Sequence, residues 1–450
     1  MSFSPALQYM LDRLEGLSTN HFILQAQNQT SNITPQSIIR FTLPSNALVD
    51  MHSFTLHFNC QTSAGAGGSR LRLPKGIESL INRVEVSIGG VAIAAGCNFY
   101  NVLCHAKQVV DGAYQDVGLG HPAIIPVSAE DNYVNGAALA NAEAPVATNN
   151  QAQFAVAKWK GFLGECQPRV VDTSLMGDIV ISVFLEQAGL VVSTSAGVTA
   201  ANFVADGAAG GTYTLNNVYA TIRCYSLANG VYDNMIAEQM AQQGNLEIGF
   251  KQYFSFRDTT NGTMRFTVAS QSLDRLIVAQ HGANATTNNQ APSLIPGYND
   301  GITAAAGAGN VSGRLLGFNS SNYVNKYFYF DEDAAPVPPL YQMQLNGANF
   351  PMWRGQASDW LRITQLASNT GYVNKDDGLH QYKNGKFVQA LKLTLDAPNA
   401  RFIQGLDTRS VSLNGYWNLY GLANPKVVTL FAECTSSLLV GIGRQIEVIQ

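Results

Sequence analysis

The side chains able to bind a metal fall in two places: His52 and His57, and the group Cys97, Cys104 and His105. Ligands must converge on one ion at about 2.0–2.3 Å. His52 and His57 are five residues apart in a strand-like stretch, so they point to opposite faces and cannot share an ion. Cys97 and Cys104 are seven residues apart around a helical pattern, a spacing that repeats one helix face and, with His105, reads as core packing. Asp331-Glu332-Asp333 offers oxygens to calcium but lacks the spaced ligand loop, and reads as a solvated acidic run. Lys158-Trp159-Lys160 joins charge to an aromatic ring, yet three residues make no stacking platform for a nucleic acid.

Signatures of nucleotide binding and hydrolysis are also missing: there is no Walker loop, HExxH or GxSxG. The nearest glycine pattern, Gly307-Ala308-Gly309 with Gly313, has the wrong spacing and no strand before it to fix a phosphate-binding turn. Cys60, Cys97, Cys104, Cys166, Cys224 and Cys434 form no CxxC pair and read as buried reduced thiols. The sequence assigns no catalytic, cofactor-binding or metal-ligating residue, and the protein reads as a non-enzyme without cofactors.

The elements around these residues say more. Charged residues are 13% of the chain, against about 25% in an ordinary globular protein. A charge-poor polar surface suits cover by neighbours, because interface cores are depleted of charge and enriched in aromatic residues, here 10%. A net charge of −4 supplies no basic field for phosphates, so sequence-specific nucleic-acid binding is not expected. The N-terminal stretch "MSFSPALQYMLDRLEG" lacks the features of a secretory signal, and no window reaches the ~18 apolar residues of a membrane span.

Period-2 alternation runs through Ile39/Phe41/Leu43, Phe54/Leu56/Phe58 and Ile179/Ile181/Val183/Leu185, and again through Met264/Phe266/Val268 and Val428/Leu430/Ala432. Such alternation marks antiparallel strands with one face on a core. One unit occurs twice. Val84, Val86 and Ile88 lead into Gly89-Gly90, and Tyr341, Met343 and Leu345 lead into Asn346-Gly347, both strand-turn-strand signals. A helical stretch at 98–110 follows the first; a stripe of Phe350, Trp353, Ala357, Trp360 and Leu361 follows the second.

The expected organisation is an amphipathic helix in 1–20 with the apolar stripe Leu7, Met10, Leu11, Leu14 and Leu17, a first sandwich in 21–228, a helical connector in 229–245 and a second sandwich in 246–450. The Ala/Gly/Asn/Ser-rich segments 112–152, 188–212 and 283–325 read as insertions outside the sandwiches, since compact domains connect strands with about 2–6 residues. The fold class is all-β: two consecutive eight-stranded antiparallel jelly rolls, a double jelly roll, with a few short helices.

The stretch "LPKGIESLINRVEVSIGGVAI" (73–93), with "IIRFTLPSNALVDMHSFTLHF" (38–58) before it, resembles the first jelly roll of major capsid proteins from polinton-like viruses and virophages. The resemblance implies a structural protein of a virion, made in the host cell without a secretory signal. It implies homotrimers whose six similar sandwiches form pseudo-hexagonal capsomers of an icosahedral shell around double-stranded DNA, contacting neighbouring capsomers and penton and minor capsid proteins. The long loops then lie on the outer side, and the stripe from Leu7 to Leu17 becomes an inner-side or inter-subunit contact. The competing readings are a two-domain jelly-roll hydrolase, which needs convergent carboxylates, a copper hydroxylase, which the seven dispersed histidines do not suit, and a lectin-like glycan-binding module.

Overall fold

The computed structural model describes residues 18–28, 30–63, 70–72, 77–93, 97–111, 152–188, 192–194, 203–205, 212–226, 231–260, 262–281, 330–332, 338–368, 379–394, 403–409, 413–421, 426–441 and 443–450. The stripe residues Leu7, Met10, Leu11, Leu14 and Leu17 lie outside this range. So do most of the expected insertions.

The first half contains β1 (Ser18–Gln25), β2 (Ile38–Thr42), β3 (Leu48–Ser63), β4 (Arg70–Arg72), β5 (Ile81–Ile88), β6 (Val91–Ala92), β7 (Ala152–Val156), β8 (Val170–Asp172), β9 (Ile179–Leu185), β10 (Val192–Thr194), β11 (Phe203–Ala205) and β12 (Thr212–Ser226). Helices α1 (Tyr100–Asp111) and α2 (Phe162–Glu165) flank β7. Helix α3 (Val231–Gln243) falls within the stretch read as a connector. The second half contains β13 (Asn245–Thr260), β14 (Thr263–Val268), β15 (Leu273–His281), β16 (Phe330–Asp331), β17 (Leu340–Leu345), β18 (Ala348–Gly355), α4 (Ala357–Ala367), α5 (Leu379–Lys383), β19 (Asn384–Gly385), β20 (Val388–Lys392), β21 (Leu413–Tyr420), β22 (Lys426–Gly441) and β23 (Ile446–Ile449).

Strand order repeats between the halves. In the first, one sheet runs β1-β12-β3-β7 and the facing sheet β2-β9-β5-β6; in the second, β13-β22-β15 with β20 beside β15 faces β14-β21-β17-β18. Numbered by appearance of these eight strands, both halves read 1-8-3-6 against 2-7-4-5, the order of a jelly roll. Among the described residues no strand ladder joins the halves; they share one isolated backbone bridge, Gln167 with Gly249 at 2.7 and 2.8 Å. Residues 188–212 hold β10 and β11, which form a separate three-stranded sheet with β4.

The alternation explains both cores. Ile39, Phe41, Leu56, Phe58, Val86, Ile88, Ile181, Val183 and Ile222 fill the first sandwich; Met264, Phe266, Leu276, Val278, Tyr341, Met343, Trp417 and Leu430 fill the second. Each fully buried aliphatic or aromatic side chain contributes about 1.5–3 kcal/mol before entropy is subtracted. Glycine is required where a cross-strand ring lies over the backbone: a Cβ on Gly415 of β21 would lie 2.2 Å from the ring of Phe266, its partner on β14. The two hairpins turn alike, with positive φ at Gly89 (56°) and Gly90 (86°), and at Asn346 (48°) and Gly347 (87°). That pair of left-handed residues gives the turn twist that antiparallel strands need.

Three sequence expectations change. Phe350 and Trp353 belong to strand β18, and the helix starts only at Ala357, so of the expected stripe Ala357, Trp360 and Leu361 are helical. The two-residue Asn346-Gly347 turn launches a return strand at once, and the capping box of Gln356 and Asp359 sets the later helix start. Cys97 precedes α1 instead of lying on it, so the seven-residue helical phase with Cys104 does not apply. Residues Ser18–Asn20, expected to close the N-terminal helix, open β1.

Candidate functional site and assembly surfaces

The residues that first suggested chemistry are dispersed and occupied. His52 Nε2 meets the Cys166 carbonyl at 3.0 Å, whereas His57 Nε2 meets Thr221 Oγ1 at 3.0 Å and stacks on Tyr219. Burial lowers the pKa of both rings. His105 Nδ1 lies 2.7 Å from the Asn101 carbonyl inside α1. Burial pushes the Cys104 thiol up to about 12, which keeps it from forming a reactive thiolate at neutral pH. Trp159 is a core residue, its indole Nε1 donating to the Phe54 carbonyl at 2.9 Å. Glu332 is no solvated acid: it is buried and paired with Lys383 at 2.8 Å. Asp333 lies outside the described residues. Among the described residues no group of three or more His, Cys, Asp or Glu could hold a metal ion.

Charge concentrates instead at the junction between the halves. Helix α1 is long enough to leave its own sandwich and reach the outer face of the β13-β22-β15 sheet. There Arg275 of β15 binds Asp111 of α1 through both guanidinium ends, at 2.7 and 3.0 Å. The same guanidinium holds Glu433 of β22 at 2.7 and 2.9 Å and donates to the Ala367 carbonyl at the end of α4 at 3.2 Å. Lys107 of α1 reaches Glu165 of α2 at 3.1 Å, Glu433 at 3.5 Å and the Tyr253 hydroxyl at 2.6 Å. Tyr253 in turn donates to Glu165 at 2.6 Å.

Burial alone would push the Glu433 and Asp111 carboxyls up. The Arg275 and Lys107 charges more than reverse this, and hold both below the usual carboxylate range. Lys107 shows the mirror effect: burial lowers its pKa, and Glu165 with Glu433 raises it further than burial lowers it. The carboxylates and cations therefore stay ionised and partnered, while Tyr253 stays a neutral donor. Such a network fixes the two halves in one orientation. Beside it, Phe162 packs edge-on against Phe250, with ring centroids 5.4 Å apart. Arg257 lies 4.4 Å over the Phe99 ring, and the Asn98 amide donates to Ser255 Oγ at 2.9 Å.

The covered sheet shows in its burial. All nine residues of β15 are buried, and β22 is buried over nearly its whole length on both faces. The matching sheet of the first half differs: β12 alternates buried and half-buried residues, and β1 is exposed along almost all of it. Large apolar side chains also stand out on β18, where Met352 is 88% and Trp353 59% exposed. None of the junction residues was singled out from the sequence, because a lone lysine or arginine carries no local signal of a partner in a distant strand.

No family model matches the chain, and no curated protein matches it in sequence. Solved structures do match in shape. The PBCV-1 virus capsid chain superposes with a TM-score of 0.58 at 12% identity, covering 97% of this chain and 98% of its own. The Faustovirus major capsid protein gives 0.54 at 11% identity, covering 95% and 91%. The structure of the Sputnik virophage gives 0.50 at 10% identity, covering 96% and 88%. Strand order and chain-long superposition agree that this protein has the double jelly-roll fold of viral major capsid proteins.

Proposed function

We propose that this protein is the major capsid protein of a double-stranded DNA virus, and that it assembles as homotrimeric pseudo-hexagonal capsomers tiling an icosahedral shell. The observation that carries this reading is the end-to-end likeness to capsid chains, through both jelly rolls and in the same chain order. Duplication gives the arrangement its physical sense. Three copies of a chain with two near-equivalent sandwiches present six lobes, so threefold symmetry yields a nearly sixfold outline that packs a flat facet. A charge-poor, aromatic-rich composition suits the broad contacts this requires. With no strongly basic segment in the sequence, this reading has the DNA condensed by other means or separated from this shell by another layer. The apolar stripe Leu7, Met10, Leu11, Leu14 and Leu17 supplies an inner-side or inter-subunit contact in this reading.

Negative-stain electron microscopy of the purified chain tests it. Class averages should show compact particles with six lobes in threefold arrangement. Two-lobed particles of one subunit at every concentration would contradict the proposal.

A further inference from the structure

The two jelly rolls can be superposed residue by residue through their ladders. Cys224 of β12 pairs with Asn20 of β1 and Val49 of β3, and Cys434 of β22 pairs with Gln252 of β13 and Leu273 of β15. Both cysteines are buried in the core. Each half also places a buried aspartate directly after the strand residue opposite that cysteine. Asp50 binds Arg169 at 2.6 Å, and Asp274 binds Lys251 at 2.6 Å.

With the cysteines matched, the outer faces correspond. His21, Ile23 and Gln25 pair with Arg223, Thr221 and Tyr219; Tyr253, Ser255 and Arg257 pair with Glu433, Phe431 and Thr429. In the second half each β13 member of this set touches the first half: Tyr253 meets Lys107, Ser255 meets the Asn98 amide and Arg257 meets Phe99. In the first half the same positions are open, with Ile23 66% exposed and His21 and Gln25 also exposed. Arg223 stands where Glu433 stands. Glu433 is satisfied by two cations from the junction, whereas the buried Nε of Arg223 has no hydrogen-bond partner among the described residues.

We propose that the face made by His21, Ile23 and Gln25 with Tyr219, Thr221 and Arg223 is covered by the second half of another copy of this chain. That copy would present a carboxylate or carbonyl oxygen to Arg223. Within the chain the first half covers the second; the uncovered face therefore belongs to the first half, and a head-to-tail contact fills it. A heterologous contact of this kind closes into a ring when its rotation permits, and alternation of the two halves around three copies gives six sandwiches. The inference rests on the capsomer reading and adds to it the surface, its polarity and the central residues. A half-buried arginine paired with His21 across the ladder, on a strand face that also carries Ile23 and the stacked Tyr219 and His57, has the composition of an interface hot spot once an oxygen acceptor covers it.

The test is the mass of the full-length chain by light scattering across a dilution series, for the wild type, Ile23→Asp, Arg223→Glu and the conservative Ile23→Val. Far-UV circular dichroism checks that each variant keeps its sheets. The expected result is a wild-type and Ile23→Val trimer, with trimer dissociation raised at least about tenfold in Ile23→Asp and Arg223→Glu. Trimers that survive both disruptive substitutions unchanged would overturn the assigned face and leave the capsomer reading standing. A wild-type monomer at every concentration would overturn the capsomer reading itself.

Discussion

The β13-β22-β15 sheet and the β1-β12-β3 sheet are the same construction in two environments. The first is closed on both faces, by its own sandwich on one side and by α1 and α2 on the other. The second has a core on one side and open positions on the other. Burial along a strand thus reports whether its second face has a neighbour. β22 carries Glu433, Thr435, Ser436 and Ser437 buried because their partners come from other elements of the chain. β12 keeps its polar residues half-wet.

The largest expected difference between the faces lies in their arginines. Arg275→Met strips the cation from the buried Glu433 and the part-buried Asp111 and should cost about 3–5 kcal/mol in urea unfolding. Arg223→Met, on the open sheet at the position matching Glu433, should cost the isolated subunit less than about 1 kcal/mol. Equal losses would break the comparison.

A second difference is one of pH. Glu78, in a short 3-10 turn beside α1 of the first half, is buried, and its Oε2 has no hydrogen-bond partner among the described residues. Burial raises its pKa to about 7 from 4.5, against the weaker pull of Lys160 and Lys158. The folded state therefore holds this proton more tightly than the unfolded one. Its contribution is complete below about pH 4.5 and is lost as pH rises through 7, by about 3 kcal/mol in all. The junction carboxylates have the opposite sign: their depressed pKa values stabilise above about pH 4, and that stability is lost only as pH falls below it. Unfolding measured from pH 5 to 8 should flatten in Glu78→Gln. A slope unchanged by that substitution would show that Glu78 is not the titrating group.

The hairpin turns should behave alike. Gly90→Ala and Gly347→Ala place a Cβ in open space at φ of 86° and 87°, so each should cost about 1–2 kcal/mol from backbone strain alone. Thermal unfolding that separates the two by more than that cost would mean the duplicated turns are not equivalent. The smallest effect is expected at Ile23→Thr, within about 0.5 kcal/mol for the isolated subunit, because the residue stands in water until a neighbour arrives.

The duplicated hairpins were legible in the sequence because Gly-Gly and Asn-Gly turns and the alternation beside them act over a few residues. The core positions of β9, β14 and β17 were legible for the same reason. Trp353 was misassigned because its spacing from Ala357 and Trp360 fits a helix, while the turn chemistry at Asn346-Gly347 binds the segment to a strand first. The junction was illegible. Lys107, Glu165, Arg275 and Glu433 come from four separate elements, and nothing near any of them in sequence marks a charge destined for burial. Low overall charge pointed to covered surface, yet part of that cover lies inside the chain.

The central claim is that a chain of two equivalent sandwiches leaves one sheet face for another copy. Its most direct test is the mass of the purified wild-type chain by light scattering at two concentrations and two salt levels. The account predicts a particle near three times 48.4 kDa, little changed by salt because the contact is mainly neutral. A stable 48.4 kDa monomer under all four conditions would contradict it.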